Sequence, residues 1–245
     1  MSVVRVFNSS EKANDFLRNV IQEAVDGSEG DRFTVALSGG SMVNVLSQVL
    51  PTVKTEWKKW LFFFADERIV SFEDKNSTFG AYKKQLAPEL PITLSQFVTI
   101  NPSLTGNDCA FDYTSKLQQL CPVAGDKLLP RFDILFLGMG PDGHTCSLFP
   151  GHPLNKETSQ WVAFIGDSPK PPPNRVTFTF PVINNAKIVV FVVTGSEKAN
   201  VLKEILVDKK TLPAGMVQPV EGVTYWIVSD DAAVYIPDEI AQREY

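Results

Sequence analysis

Hydrophobic positions fall into short dense runs, separated by stretches with a helical period. Phe33-Thr-Val-Ala-Leu37, Trp60-Leu-Phe-Phe-Phe64 and residues 132–137 and 187–193 are aromatic or β-branched and bounded by Gly, Ser or Asp, which predicts buried strands. Residues 176–180 and 225–228 read as two more. Over 10–25, Ala13, Phe16, Leu17, Val20, Ile21 and Ala24 recur at three- and four-residue spacing, the mark of an amphipathic helix, with Ser10 as its expected N-cap. Similar patterns cover 41–50, 77–86, 107–120 and 196–207. Strands alternating with helices predict an α/β fold: a Rossmann-like, mostly parallel sheet with helices on both faces. No repeat is visible, and the proline-rich stretch 168–174 reads as a stiff surface loop, so a single domain spanning 1–245 is expected.

Composition narrows the class. The 245 residues carry 28 acidic and 23 basic side chains, a net charge of −5, with 44% hydrophobic and 21% charged residues. These values suit a globular chain with a sizeable core. Mild acidity argues against a nucleic-acid binder and against docking on anionic membranes. The longest apolar runs, 60–65 and 188–193, are far below the roughly 20 residues a membrane helix needs. Three cysteines without a CxxC pair, and an N-terminus without a secretory pattern, point to a reduced cytoplasmic chain.

Chemistry concentrates where predicted strands end. Ser38-Gly39-Gly40-Ser41 joins a strand to a helix, which suits either a capped tight turn or an anion held by free N–H groups. Asp66-Glu67-Arg68 follows the next strand. It is either a solvated turn or a phosphate clamp by Arg68, with the carboxylates orienting it or meeting sugar hydroxyls. Gly138-x-Gly140-x-x-Gly143 matches the dinucleotide fingerprint in letters. Pro150 and Pro153 nevertheless break the helix it requires, and no acidic strand end follows, which excludes NAD. Both histidines lie in this segment. Asp142 and His144 form either an acid–base pair or a loop-fixing contact, while His144, Cys146 and His152 do not have the spacing of familiar zinc sites. Arg175 at a strand start and Lys198 at a helix start are further cationic candidates.

Taken together, Ser38-Gly-Gly-Ser41, Phe64-Ala-Asp-Glu-Arg68, the segment Gly138 to Gly151, Ser168-Pro-Lys-Pro-Pro-Pro-Asn-Arg175 and Gly195-Ser-Glu-Lys-Ala199 resemble the 6-phosphogluconolactonases, in order and spacing, over nearly the whole chain. The resemblance implies hydrolysis of 6-phospho-D-glucono-1,5-lactone to 6-phosphogluconate in the oxidative pentose phosphate pathway, without cofactor or metal. His144 is then the expected general base and acid, oriented by Asp142. The sugar phosphate is expected among Ser38, Gly39, Gly40, Ser41, Asp66, Arg68, Gly140, Arg175 and Lys198, and a monomer is expected. The glucosamine-6-phosphate deaminases resemble the chain less: their acidic residue in the glycine–histidine segment aligns with Phe149, which cannot ionise.

Overall fold

The computed structural model describes residues 1–125 and 128–244. Its strands are β1 (Ser2–Phe7), β2 (Phe33–Leu37), β3 (Trp60–Phe64), β4 (Asp66–Arg68), β5 (Val123–Ala124), β6 (Leu129–Pro130), β7 (Ile134–Leu137), β8 (Val162–Ile165), β9 (Arg175–Phe178), β10 (Ile188–Val193), β11 (Val223–Ser229) and β12 (Ala241–Glu244). The helices are α1 (Ser10–Asp26), α2 (Ser41–Val49), α3 (Thr78–Gln85), α4 (Gly106–Leu120), α5 (Phe180–Ile183) and α6 (Ala199–Leu206). Seven strands pair in parallel in the order β12-β1-β11-β10-β7-β2-β3.

Side chains on successive strand residues point to opposite faces, and both faces are buried. In β7, Ile134 and Phe136 join one core with Leu17 of α1, Leu46 of α2 and Tyr82 of α3. Leu135 and Leu137 join the other with Leu117 of α4, Ile183 of α5 and Leu202 of α6. This explains why the central strands read as continuous apolar runs rather than alternating ones.

Three expectations change. Residues 175–178 do form a strand, but β9 lies outside the main sheet, in an antiparallel sheet of order β4-β9-β8. Phe180 already begins α5, with Pro181 in its first turn, where a missing N–H costs nothing. The cap of α1 is Ser9, whose hydroxyl accepts from the Lys12 amide at 3.3 Å; Ser10 is the first helical residue.

The sheet's order locates a crevice. From β2 the chain moves outward through α2 to β3, whereas β7 lies on the other side of β2 and leads back towards β10. The carboxyl ends of β2 and β7 therefore diverge into loops that run opposite ways, the point at which open α/β sheets bind ligands. The Ser38 amide donates to the Phe136 carbonyl at 3.0 Å and holds the two strand ends side by side.

Candidate active site

A cleft of about 270 Å³ opens above these strand ends. Ser38, Gly39, Gly40 and Ser41 form the wall after β2, and Gly138, Gly140 and His144 form the wall after β7. Asp66, Arg68 and Arg175 enter from the small antiparallel sheet, and Lys198 from the turn before α6. The structure thus brings together all the predicted site residues except Asp142, which stands behind His144. Another cleft, of about 290 Å³ at the ends of β1, β10 and β11, has no His, Lys or Arg in its described lining.

The wall after β2 is a backbone surface. Gly40 occupies the cap position of α2 at φ 71°, in the left-handed region that suits glycine, and no side chain caps the helix. Ser41 is the first helical residue rather than its cap. Among the described residues, the Gly39 and Gly40 amides have no backbone acceptor. Tyr82 of α3 donates to the Ser38 carbonyl at 2.8 Å and fixes this turn from beneath.

The wall after β7 is a tight loop. The Gly140 amide donates to the His144 carbonyl, the Gly143 amide to the Gly140 carbonyl, and the Thr145 hydroxyl to the Gly138 carbonyl, at 2.9, 3.0 and 2.9 Å. A Cβ on Gly140 would lie 2.0 Å from His144 Nδ1 and 2.6 Å from Asp142 Oδ1, so only glycine leaves room for the pair. Nδ1 of His144 lies 2.5 Å from Asp142 Oδ1. The imidazole packs at 4.9 Å on the buried ring of Phe149. Burial pushes the His144 pKa below its ordinary value, against the opposing pull of Asp142. The Asp142 carboxyl is held low by its hydrogen bond to His144 and by the charges of His144 and Lys170, which outweigh its own burial.

Arg175 is buried, and its donors are largely committed. Nε donates to the Pro172 carbonyl at 2.9 Å and Nη2 to the Lys170 carbonyl at 2.6 Å, while Nη1 lies 3.4 Å from the Ser147 hydroxyl. Ser147 in turn donates to Asp66 at 2.8 Å. Arg68 donates to the Asn76 carbonyl at 2.9 Å, and its Nε is buried with no partner among the described residues.

Glu67 departs from expectation. It is 1% exposed and turned away from the cleft, accepting from the amides of Arg68, Thr78 and Phe79 at 2.7 Å each and from the Ser77 hydroxyl at 3.2 Å. It closes the N-terminus of α3 instead of meeting a sugar, because a carboxylate sheltered from water is tolerable only where several donors surround it. His152 also lies outside the cleft: its Nδ1 accepts from the Leu154 amide and its Nε2 pairs with Asp167, both at 3.1 Å. Among the described residues no group of three His, Cys, Asp or Glu side chains is arranged to hold a metal.

Lys170 belongs to the site although the motifs did not single it out. Its Nζ lies 3.2 Å from His144 Nδ1 and 3.5 Å from Asp142 Oδ1. The available signal was a lone cation in a stiff proline loop directly before Arg175.

Residues 8–226 match the model of the family described as glucosamine-6-phosphate isomerases/6-phosphogluconolactonase. A rat 6-phosphogluconolactonase is 48% identical over 240 residues, covering 94% of this chain and 92% of that protein. The human 6-phosphogluconolactonase is 45% identical with the same coverage. Among solved structures, a 6-phosphogluconolactonase from Thermotoga maritima superposes with a TM-score of 0.79 at 28% identity, over 94% of this chain and 100% of its own. The match to the family model, the high identity to these relatives and the shared fold together establish that this chain belongs to the glucosamine-6-phosphate isomerase/6-phosphogluconolactonase family.

Proposed function

We propose that this chain hydrolyses 6-phospho-D-glucono-1,5-lactone to 6-phosphogluconate by His-assisted attack of water. The observation that carries the proposal is the Asp142–His144 pair on one wall of a cleft whose other walls present Arg68, Lys198 and a helix N-terminus. Lactone hydrolysis needs an activated water, stabilisation of the carbonyl oxyanion and a proton for the departing ring oxygen.

Each need has a group to meet it. With Nδ1–H directed at Asp142, Nε2 of His144 is the basic nitrogen, and a depressed pKa keeps it unprotonated near neutrality. It takes a proton from water as oxygen bonds to the lactone carbonyl carbon. It then returns that proton to the ring oxygen as the carbon–oxygen bond breaks. The acid so formed ionises in water. The Gly140 and Gly143 amides are spent within their loop, which leaves those of Gly39, Gly40 and Gly138 to meet the oxyanion. The 6-phosphate sits with Ser41, Arg68 and Lys198, while Arg175 contributes charge but few free donors. Anchoring the phosphate away from the reacting carbon turns binding into positioning.

Phe149 supports the lactonase over the deaminase. It packs against His144 and lies 5.8 Å beneath the Arg175 guanidinium, at the position that aligns with an acidic residue of the deaminases. Freshly generated lactone should decay faster with the chain than without it, and glucosamine 6-phosphate should release no ammonia. Decay at the spontaneous rate would overturn the proposal.

A further inference from the structure

We propose that Lys170 is a positioning residue for this hydrolysis: from the proline loop it grips the Asp142 carboxylate and so selects the His144 tautomer in which Nε2 is bare. The inference rests on the lactonase reading above.

The geometry allows one consistent arrangement of protons. An ammonium has only protons to donate, and Nδ1 of an imidazole either carries a proton or accepts one. Nδ1 therefore cannot accept from Lys170, 3.2 Å away, while donating to Asp142 at 2.5 Å. A carboxylate oxygen can accept from both. With Asp142 ionised, Nδ1–H and the Lys170 ammonium converge on Oδ1, and the opposite nitrogen, Nε2, is left to act as base. Were Lys170 to donate to Nδ1 instead, the proton would sit on Nε2 and Asp142 would have to be protonated. The charges on either side of that carboxylate oppose this.

Lys170 is held where it is needed. Its amide donates to the Ser168 hydroxyl at 3.2 Å, and that hydroxyl donates to the Lys170 carbonyl at 2.9 Å. Arg175 donates to the same carbonyl and to those of Pro171 and Pro172, and the four prolines of the loop (Pro169, Pro171, Pro172 and Pro173) restrict what backbone freedom is left. Most of the buried Arg175 guanidinium thus serves to clamp the loop. The other charges around His144 are Asp142 on its own loop, Asp66 from β4, Arg175 beyond Phe149, and Arg68 and Lys198 across the cleft. Among the described residues, Lys170 is the charged side chain from outside that loop that comes within hydrogen-bond distance of the Asp142–His144 pair. Its cation opposes protonation of His144, so its removal raises the pH at which the base becomes available.

The test is the pH profile of kcat/KM for wild type, K170M and K170R on freshly generated lactone. For K170M the acid limb should move to higher pH, with kcat/KM about tenfold lower on that limb for a displacement of one pH unit, and KM should be unchanged on the alkaline side. K170R should restore the limb. Thermal unfolding of each variant shows that the fold is intact, since Lys170 is a partly exposed loop residue. A K170M profile that superposes on the wild type, or a rise in KM with an unmoved limb, would overturn the role of Lys170 alone. A wild-type chain that left the lactone at its spontaneous rate would overturn the reaction as well.

Discussion

His144 and His152 lie on one glycine- and proline-rich loop, and each ring stands beside an aspartate, yet the two ends of the loop do different things. At the His144 end the imidazole packs against the buried ring of Phe149, is approached by Lys170 and lines the cleft. At the His152 end the partner, Asp167, is 80% exposed, and one ring nitrogen is occupied by the Leu154 amide at the start of a short helical turn. A carboxylate neighbour therefore does not by itself make a histidine a base. Both ring nitrogens of His152 serve the backbone or the surface, whereas the pairing of His144 leaves Nε2 available.

The sharpest way to break this comparison is to remove each ring. H144A should lower kcat by about 10²–10⁴-fold, as expected for the loss of a general acid–base group, while H152A should stay near wild type. Equal losses in steady-state kinetics would show that both ends serve the reaction. Arg68 and Lys198 line the same cleft as His144, whereas His152 is not among its lining residues. R68A should therefore raise KM by roughly 10- to 100-fold, the value of a charged contact to phosphate, with a smaller change in kcat. An unchanged saturation curve would place the phosphate elsewhere.

At the other end, H152A should cost about 1 kcal/mol in denaturant unfolding, the typical value of a lost helix cap, with activity preserved. The smallest effect concerns pH. The pKa of His144 is lower in the fold than its ordinary value near 6.5 in an unfolded chain, so both states are neutral above that pH. As pH falls below it, the unfolded chain binds the proton first and stability is lost. H144Q should therefore show a shallower fall of Tm between pH 7 and 5 than wild type, the difference corresponding to under about 1 kcal/mol of unfolding free energy. Parallel Tm curves would mean that the ring is not shielded as described.

Much of the fold was legible because it is local. The runs behind β2, β3, β7 and β10 are too apolar for any setting but a sheet buried on both faces, and the periodicity of α1 needs no partner to be seen. β12 was not legible: Ala-Gln-Arg-Glu has no strand pattern and becomes one only by pairing with β1 at the sheet edge. β9 was visible as a strand, but its sheet was not, since alternation says nothing about which edge a strand joins.

The candidate site divides the same way. Sequence alone determined that Gly39-Gly40 would form a tight turn into α2, and that Asp142 and His144, two residues apart among glycines, could share one loop. Those are properties of neighbouring residues, set by backbone sterics and short-range hydrogen bonding. Only the tertiary structure decided that Glu67 turns inward to close α3 while Asp66 and Arg68 on either side of it face the cleft. It also decided that Arg175 spends its donors on the proline loop, and that Lys170 reaches His144 from 26 residues away. Those outcomes depend on which strand ends the parallel sheet sets side by side, and that long-range pairing leaves no mark on the local spacing of residues.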